Sequence, residues 1–440
     1  MGSLAKGNRE LALILALGLG IRVLWMIAAG ATWQPLDLGE ATSAAQHFAR
    51  NGWIADGFFP GQGPTAHLLP TMIVIAGWVF RVLGPQSGLA NLTLAAWALA
   101  QSFASYLLVR ALFARIGADR AVQRAGLVIL CLLPVFVVQE ACDFRFWEGA
   151  LGLCLAACNL LLLERFDREG FGSWGGLALA AMLSAVTFFV SPAAGVAVDL
   201  CWAVYALRKL PWRTTLAFAA ASALAVALVA APWVIRNERV MGAPVLRSNF
   251  WLETATGNHP AALSDAPQYE IWSRRVRQIH PYDGDAAIAA YRAAGGEIAY
   301  GNQLGRETKA WIRTHPADFL RLSLRHYRQF YVPDQWQFRL TNWPGLIPLR
   351  AIVMQVVSVL GLAGLFWGLV RRRRFYGYIA IYVAAVGLPY ALVQPIPRFS
   401  YLVYAILTFL AAQLLVDAAR LARRERRAIL SPAPSGRAAP

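Results

Sequence analysis

Leu68-Leu69-Pro70-Thr71-Met72-Ile73-Val74-Ile75-Ala76-Gly77-Trp78-Val79-Phe80-Arg81-Val82-Leu83 is apolar enough for a bilayer, yet a turn or two short of a comfortable crossing, and it carries a proline and an arginine. A hydrocarbon core of about 30 Å asks for roughly 17 to 25 apolar residues per helix. If this stretch spans, the cluster Arg110, Arg115, Arg120 and Arg124 falls on the side opposite Lys6 and Arg9, against the tendency of basic residues to stay on the cytoplasmic side. If it lies along the interface, every basic cluster falls in line. We therefore read it as interfacial.

Working outward from that choice, the first run, Leu11 to Ala31, goes out. It lacks the short apolar core and small-residue cleavage pattern of a removable signal and reads as an anchor. Leu89 to Leu112 comes in, Ala125 to Val138 goes out, and Trp147 to Leu163 returns to Arg165 and Arg168. Trp174 to Val190 and Ala193 to Leu207 form a short pair around Ser191-Pro192 and end at Arg208, Lys209 and Arg213. Thr214 to Val234 exits, Leu346 to Val370 re-enters at Arg371 to Arg374, and Tyr376 to Val393 and Tyr401 to Ala419 complete the set before the basic stretch Arg420 to Arg427. The expectation is an all-α polytopic membrane protein of about ten transmembrane helices. It has interfacial helices in the first outer loop and a large outer loop between helices 7 and 8.

Four regions follow: 1–235, a transmembrane core containing the first outer loop 32–88; the large loop 236–345; the late helices 346–428; and a disordered tail, 429–440, rich in Pro, Ser and Ala. Within the large loop, Ala286 to Ala294 and Gln303 to Tyr331, the latter broken at Pro316, carry helical periodicity. The second of these suits a membrane surface.

Composition supports lipid as the main solvent, with 58% hydrophobic and 15% charged residues. The formal charge of +17 does not point to nucleic acid, because the arginines come in short clusters between apolar runs. Five cysteines, Cys131, Cys142, Cys154, Cys158 and Cys201, lie in or beside apolar runs without metal-ligand spacing and read as packing residues.

Carboxylates at membrane edges are costly and draw attention to function. Asp37 directly follows the first run, with Glu40 one helical turn on. Asp37 also suits an interfacial helix cap. Glu140, Asp143 and Glu148 emerge on the same side, where Arg145 offers one of them an ion pair in a tight turn. Arg398 is the cation of the last outer turn, placed for a lipid phosphate or for snorkelling to the interface. Asp199 stands out as a charge in mid-span.

These residues sit in motifs that resemble a family. Asp37 to Gly52, with Ala45 and Phe48, looks like the first outer loop of membrane glycosyltransferases with the C-type fold (GT-C), among them protein O-mannosyltransferases and lipid A aminoarabinose transferases. Gly63-Pro64-Thr65-Ala66-His67-Leu68-Leu69-Pro70 is similar to the turn before their juxtamembrane helix. Pro232-Trp233-Val234-Ile235-Arg236-Asn237-Glu238-Arg239-Val240-Met241-Gly242, with Ser248-Asn249 and Thr256-Gly257-Asn258, resembles the motif that opens their large outer loop. Trp311 to Tyr331 resembles its closing surface helix, and Pro397-Arg398-Phe399-Ser400-Tyr401 the start of a late helix.

The resemblance implies an inverting glycosyltransferase of the inner membrane that uses a polyprenyl-phosphate sugar donor and a glycan, lipid or protein acceptor. Its termini would be cytoplasmic and its large loops periplasmic. It implies Asp37 as general base, Asp143 as the favoured second acidic residue, and substrate contacts from Glu40, His67, Glu148, Arg236, Asn237, Arg398 and Tyr401. His67 also suits a turn cap. Leu38 and Ala41 stand where many relatives have an acid and a tyrosine.

No cofactor is expected. A weakly held divalent cation between Asp37 and Asp143 or Glu148 is compatible with these ligands, as is a metal-free base. The alternatives are a lipid-linked glycan polymerase or ligase, with Arg236, Arg247, Arg274 and Arg275 in the outer loop, and a transporter or flippase, for which internal repeats and broken mid-membrane helices would be expected.

Overall fold

The computed structural model describes residues 2–31, 39–170, 172–341 and 345–430. Among them the regular structure is helical. α1 (Gly2–Ala28) leads to a loop holding α2 (Glu40–Asn51) and α3 (Pro70–Leu83). Then come α4 (Gly88–Arg115), α5 (Arg120–Leu132), α6 (Val137–Ala141), α7 (Gly149–Glu169), α8 (Trp174–Val190), α9 (Pro192–Lys209) and α10 (Trp212–Met241). A second loop holds α11 (Phe250–Gly257), α12 (Gln268–Ile279), α13 (Asp285–Ala294), α14 (Glu297–Thr314) and α15 (Pro316–Tyr331). The chain ends in α16 (Ile347–Val370), α17 (Tyr376–Val386), α18 (Leu388–Ala391) and α19 (Tyr401–Leu430).

Each of the ten expected runs is helical over most of its length, but they are not equal. Six helices have the length and apolarity to cross a bilayer unaided, and α5 joined to the segment Val137–Arg145 would make a seventh, bent by 73°. The expected straight span from Ala125 to Val138 is therefore broken. The cause is Pro134, which lacks an N–H and forces Leu133 into an extended conformation with ψ of 136°. α8 and the α17–α18 pair are short apolar helices, as is α3.

Leu13, Leu24, Leu216, Leu224, Leu228, Val356 and Phe366 are all at least half exposed on α1, α10 and α16. In water such a surface would aggregate. In a bilayer it meets its own solvent. The molecule is a multi-pass membrane protein.

The core is organised around α19, which packs against α16, α5 and α7 and is buried on nearly every residue from Tyr401 to Ala412. Gly361 and Gly364 let α16 approach closely, since a Cβ there would come within 2.5 Å of the Leu407 carbonyl oxygen and 2.3 Å of that of Leu410. Small residues at such crossings are how membrane helices gain van der Waals contact without a hydrophobic drive between them.

The basic clusters converge at one end of this bundle and are tied by ion pairs. Arg124 meets Glu10 at 2.9 Å, Arg374 meets Glu164 at 3.0 Å, Lys209 meets Asp167 at 3.6 Å, and Arg420 meets Asp119. The two long loops pack on each other elsewhere, through the backbone bond from Ser248 N–H to the Ala66 carbonyl and through the side chains described next.

Candidate active site

The first loop is shaped before it meets any partner. Gly39, at a φ of 66° that favours glycine, turns the chain into α2, whose first residue is Glu40. After α2, the chain reverses through a turn pinned by Asp56, whose carboxylate accepts from Gly63 N–H at 2.9 Å and faces His47 Nδ1 at 3.2 Å. The turn hands back Thr65, Ala66 and His67. Glu297, the first residue of α14, holds this strip to the second loop. Its carboxylate accepts from Gln62 (2.7 Å), Thr65 Oγ1 (2.6 Å), Ala66 N–H (2.8 Å) and Ser248 Oγ (2.5 Å).

Arg236 and Asn237, expected among the substrate contacts, are occupied in the same wall. Arg236 donates to the carbonyls of Thr65 (2.9 Å) and Ile54 (2.5 Å) and stacks on Trp233, while Asn237 Nδ2 donates to the Val245 carbonyl at 2.7 Å. Together they hold the two loops to the end of α10.

Against this wall lies a cluster of titratable groups. Glu40 Oε2 faces His67 Nε2 at 3.1 Å and Glu40 Oε1 faces His280 Nε2 at 3.3 Å. Burial works to raise the Glu40 carboxyl, but His67, with His280 and Arg398 behind it, outweighs burial and holds it at about 2. His67 is pushed the other way: burial lowers it, and the Glu40 carboxylate more than compensates, leaving it above its ordinary value. The His67 carbonyl accepts from Arg247 Nε at 3.2 Å, and Arg247 reaches Glu148 at 4.0 Å.

Arg398 links the pieces. Its guanidinium lies over the rings of Trp147 (5.7 Å) and Phe399 (5.6 Å) and within electrostatic reach of Glu40, Asp143 and Glu148. Asp143 is 4% exposed, and neither carboxylate oxygen has a hydrogen-bond partner among the described residues. A buried orphan carboxylate is a costly arrangement, and it marks a place where a ligand's proton, cation or hydroxyl would be welcome. Arg350, bonded to the Val135 carbonyl and Gln139, is the second cation near it.

Glu40, His67, Asp143, Glu148 and Arg398 are thus brought together, while Asp37 lies outside the described residues. Two candidates fall elsewhere. Glu140 turns inward, where Arg22 Nε meets it at 2.5 Å and the hydroxyls of Tyr106 and Tyr401 donate to it. Tyr401 therefore sits in this buried network. Arg22 completes it by donating to the carbonyls of Gly18, Cys131 and Leu130. The ion pair offered by Arg145 is absent among the described residues: its Nε donates to the Ala141 carbonyl at 2.7 Å instead.

Sequence reasoning missed His280, Glu297, Arg22 and Arg350. Arg22 was open to reading, as a cation in the middle of the first apolar run that needs an acid inside the bundle. The oxygen-ligand set compatible with a divalent cation includes Asp37 and so lies outside the described residues. Among the described residues, Glu40, His67 and His280 bring nitrogen and oxygen atoms together.

No protein-family model and no curated protein sequence matches the chain. Solved structures do. The oligosaccharyltransferase of Archaeoglobus fulgidus in its apo form aligns over 96% of this chain and 52% of its own, with TM-score 0.53 and 15% identity. The archaeal oligosaccharyltransferase AglB from the same organism, in complex with an inhibitory peptide and a dolichol-phosphate, aligns over 97% and 52% at TM-score 0.51 and 15% identity. ArnT from Cupriavidus metallidurans aligns over 97% and 81% at 16% identity, with a TM-score of 0.37 that is too low to bear on the fold. The chain spans about half the length of the archaeal proteins. At this level of identity the likeness speaks to architecture, and the chain shares the fold of the archaeal membrane oligosaccharyltransferase over that half.

Proposed function

We propose that the chain is a glycosyltransferase that moves a sugar from a polyprenyl-phosphate donor to an acceptor at the outer face of the inner membrane, with inversion and with Asp37 as general base. The observation that carries this reading is Arg398 within electrostatic reach of three acids, one of them Asp143, which has no hydrogen-bond partner among the described residues. In such a transfer the acceptor oxygen attacks the anomeric carbon, the carbon–oxygen bond to phosphate breaks, and a carboxylate takes the acceptor's proton. A base must stand near the attacking oxygen, and a cation near the phosphate that leaves with the electron pair.

Asp37 stands two residues before Gly39, which opens α2 and brings Glu40 to the cluster. Arg398 is the cation for the phosphate, Asp143 the second acid, and Glu40, His67 and Glu148 line the donor's path. The archaeal protein of the same fold is seen with a dolichol-phosphate, a lipid phosphate of the class proposed here.

The test is transfer of labelled sugar from polyprenyl phosphate in membranes carrying wild type or Asp37→Asn at matched abundance. The expected loss is about 100-fold or more, the scale of a missing general base. Undiminished transfer by Asp37→Asn would remove the base from this residue, and no transfer by either protein would remove the reaction.

A further inference from the structure

At the basic end of the bundle, the last turn of α16, the turn that follows it, the α4–α5 connection and α19 enclose two adjoining cavities of about 350 and 250 Å³. Arg373, Asp417 and Arg420 line both. Arg371 belongs to the larger, and Arg374 and Asp119 to the smaller. The walls thus carry four arginines and two aspartates, an excess of two positive charges.

Ion pairs within the walls do not use up these cations. Arg373 meets Asp417 at 2.6 Å and Arg420 meets Asp119. Arg374 meets Glu164 at 3.0 Å, but that carboxylate also draws Arg115 and Arg168, each at 3.9 Å. Arg371 makes no ion pair among the described residues and lies over the Trp367 ring at 4.5 Å.

The turn that carries these arginines is strained and firmly held. Arg372 and Phe375 have φ of 50° and 69°, left-handed values that crowd a residue with a side chain. They persist because Phe375 and Tyr376 are buried and the Arg373 N–H donates to the Gly368 carbonyl at 2.9 Å. Packing therefore fixes where Arg371, Arg373 and Arg374 stand.

The surface beside the larger cavity suits hydrocarbon. Phe366, Val370 and Leu421 are 69%, 58% and 42% exposed, and Trp367 and Leu421 form part of the wall. A water-soluble anion would meet the guanidinium groups and leave that apolar flank uncovered. A phospholipid covers both, with phosphate among the arginines and acyl chains along α16. Two adjoining cavities that share cations match a headgroup with two phosphates, and the charge excess matches its two negative charges. The place is remote from the acids near Arg398: Arg371 lies about 30 Å beyond Arg350 along α16, and Asp417 about 24 Å beyond Tyr401 along α19.

We propose that this end of the bundle is a binding site for an anionic phospholipid with two phosphates, held by Arg371, Arg373, Arg374 and Arg420. The site stands whether or not the chain transfers sugar, because binding is read without donor or acceptor.

The experiment uses delipidated full-length protein in detergent, titrated with diphosphatidylglycerol, phosphatidylglycerol or phosphatidylcholine, all with oleoyl chains. Bound lipids per chain are counted by native mass spectrometry. One diphosphatidylglycerol should bind wild type at least about fivefold more tightly than phosphatidylglycerol, with phosphatidylcholine weaker than both. Inorganic pyrophosphate at matched concentration should not displace it.

Arg371→Gln should weaken binding about fivefold, the scale of one basic residue at an anionic lipid surface, and Arg371→Lys should restore most of it. Arg165→Gln, on an exposed arginine outside both cavities, should bind as wild type does. Asp417→Asn removes a competing carboxylate from both cavities and should tighten binding, a gain that a misfolded variant would not show. Equal binding of the two anionic lipids, or equal loss from Arg371→Gln and Arg165→Gln, would overturn the site in favour of diffuse charge attraction. Displacement by pyrophosphate would overturn it in favour of a free-phosphate site.

Discussion

At the scale of single residues, the first loop depends on side chains that satisfy backbone groups. Asp56 sits at a φ of 53° and accepts from Gly63 N–H, so Asp56→Ala loses a cap and keeps the strain. The expected cost is about 1–2 kcal/mol locally, read as faster hydrogen exchange over residues 56–63. Burial raises the Asp56 carboxyl, but the N–H groups of Gly63 and Gly61 and the neighbouring His47 pull it below its ordinary 3.8. A group depressed on folding contributes above its unfolded value and loses that contribution as pH falls. Protection of these amides, with the intrinsic pH dependence of exchange divided out, should therefore fall on acidification below about pH 4 and stay flat from 5 upward.

Buried charge is the other residue-scale feature. Arg22→Leu leaves the Glu140 carboxyl without its cation inside the bundle, and should cost about 3–5 kcal/mol of stability in detergent. Adding Glu140→Gln, which still accepts from Tyr106 and Tyr401, should restore most of it. A double variant no better than the single one would show that the pair is not the stabilising unit.

At the scale of elements, the sequence was most legible where a helix has to be apolar. All ten runs placed by hydropathy and charge are helical, α3 is the short apolar helix it was read to be, and Pro316 separates α14 from α15. The bend at Pro134 was visible in principle, since a proline and an extended preceding residue interrupt the ladder. It was passed over because hydropathy averages across it.

Partners far apart in the chain were not legible. Arg22 and Glu140 are 118 positions apart and Gln62 and Glu297 are 235 apart, and periodicity carries no information about such pairings. The same limit hid His280, which reads in sequence as one histidine in a polar loop. Helix contact is testable at this scale too. Gly361→Ala or Gly364→Ala pushes a Cβ against α19 backbone and should destabilise by about 1–3 kcal/mol, measured as a lower midpoint in detergent.

At the scale of the whole molecule, the two loops form one unit through Glu297. Glu297→Ala removes the acceptor for four donors, three of them side chains and one a backbone N–H. Exchange should rise together over residues 62–67 and 246–250 while the helices of the bundle keep their protection. A change confined to one of the two strips would show that they are not coupled.

The broken fifth helix bears on where reactants come from. Its 13 residues rise about 20 Å before the chain bends, some 10 Å less than the hydrocarbon thickness. If α5 starts level with the inner ends of its neighbours, the acids that follow stand below the outer ends of full-length helices such as α4 and α10. A molecule dissolved in water would have to climb down to them, whereas one anchored by a hydrocarbon tail has its phosphate at that depth already. For the proposed lipid-phosphate donor, that placement would turn a three-dimensional search into a two-dimensional one, in which delivery depends on lateral diffusion within a leaflet.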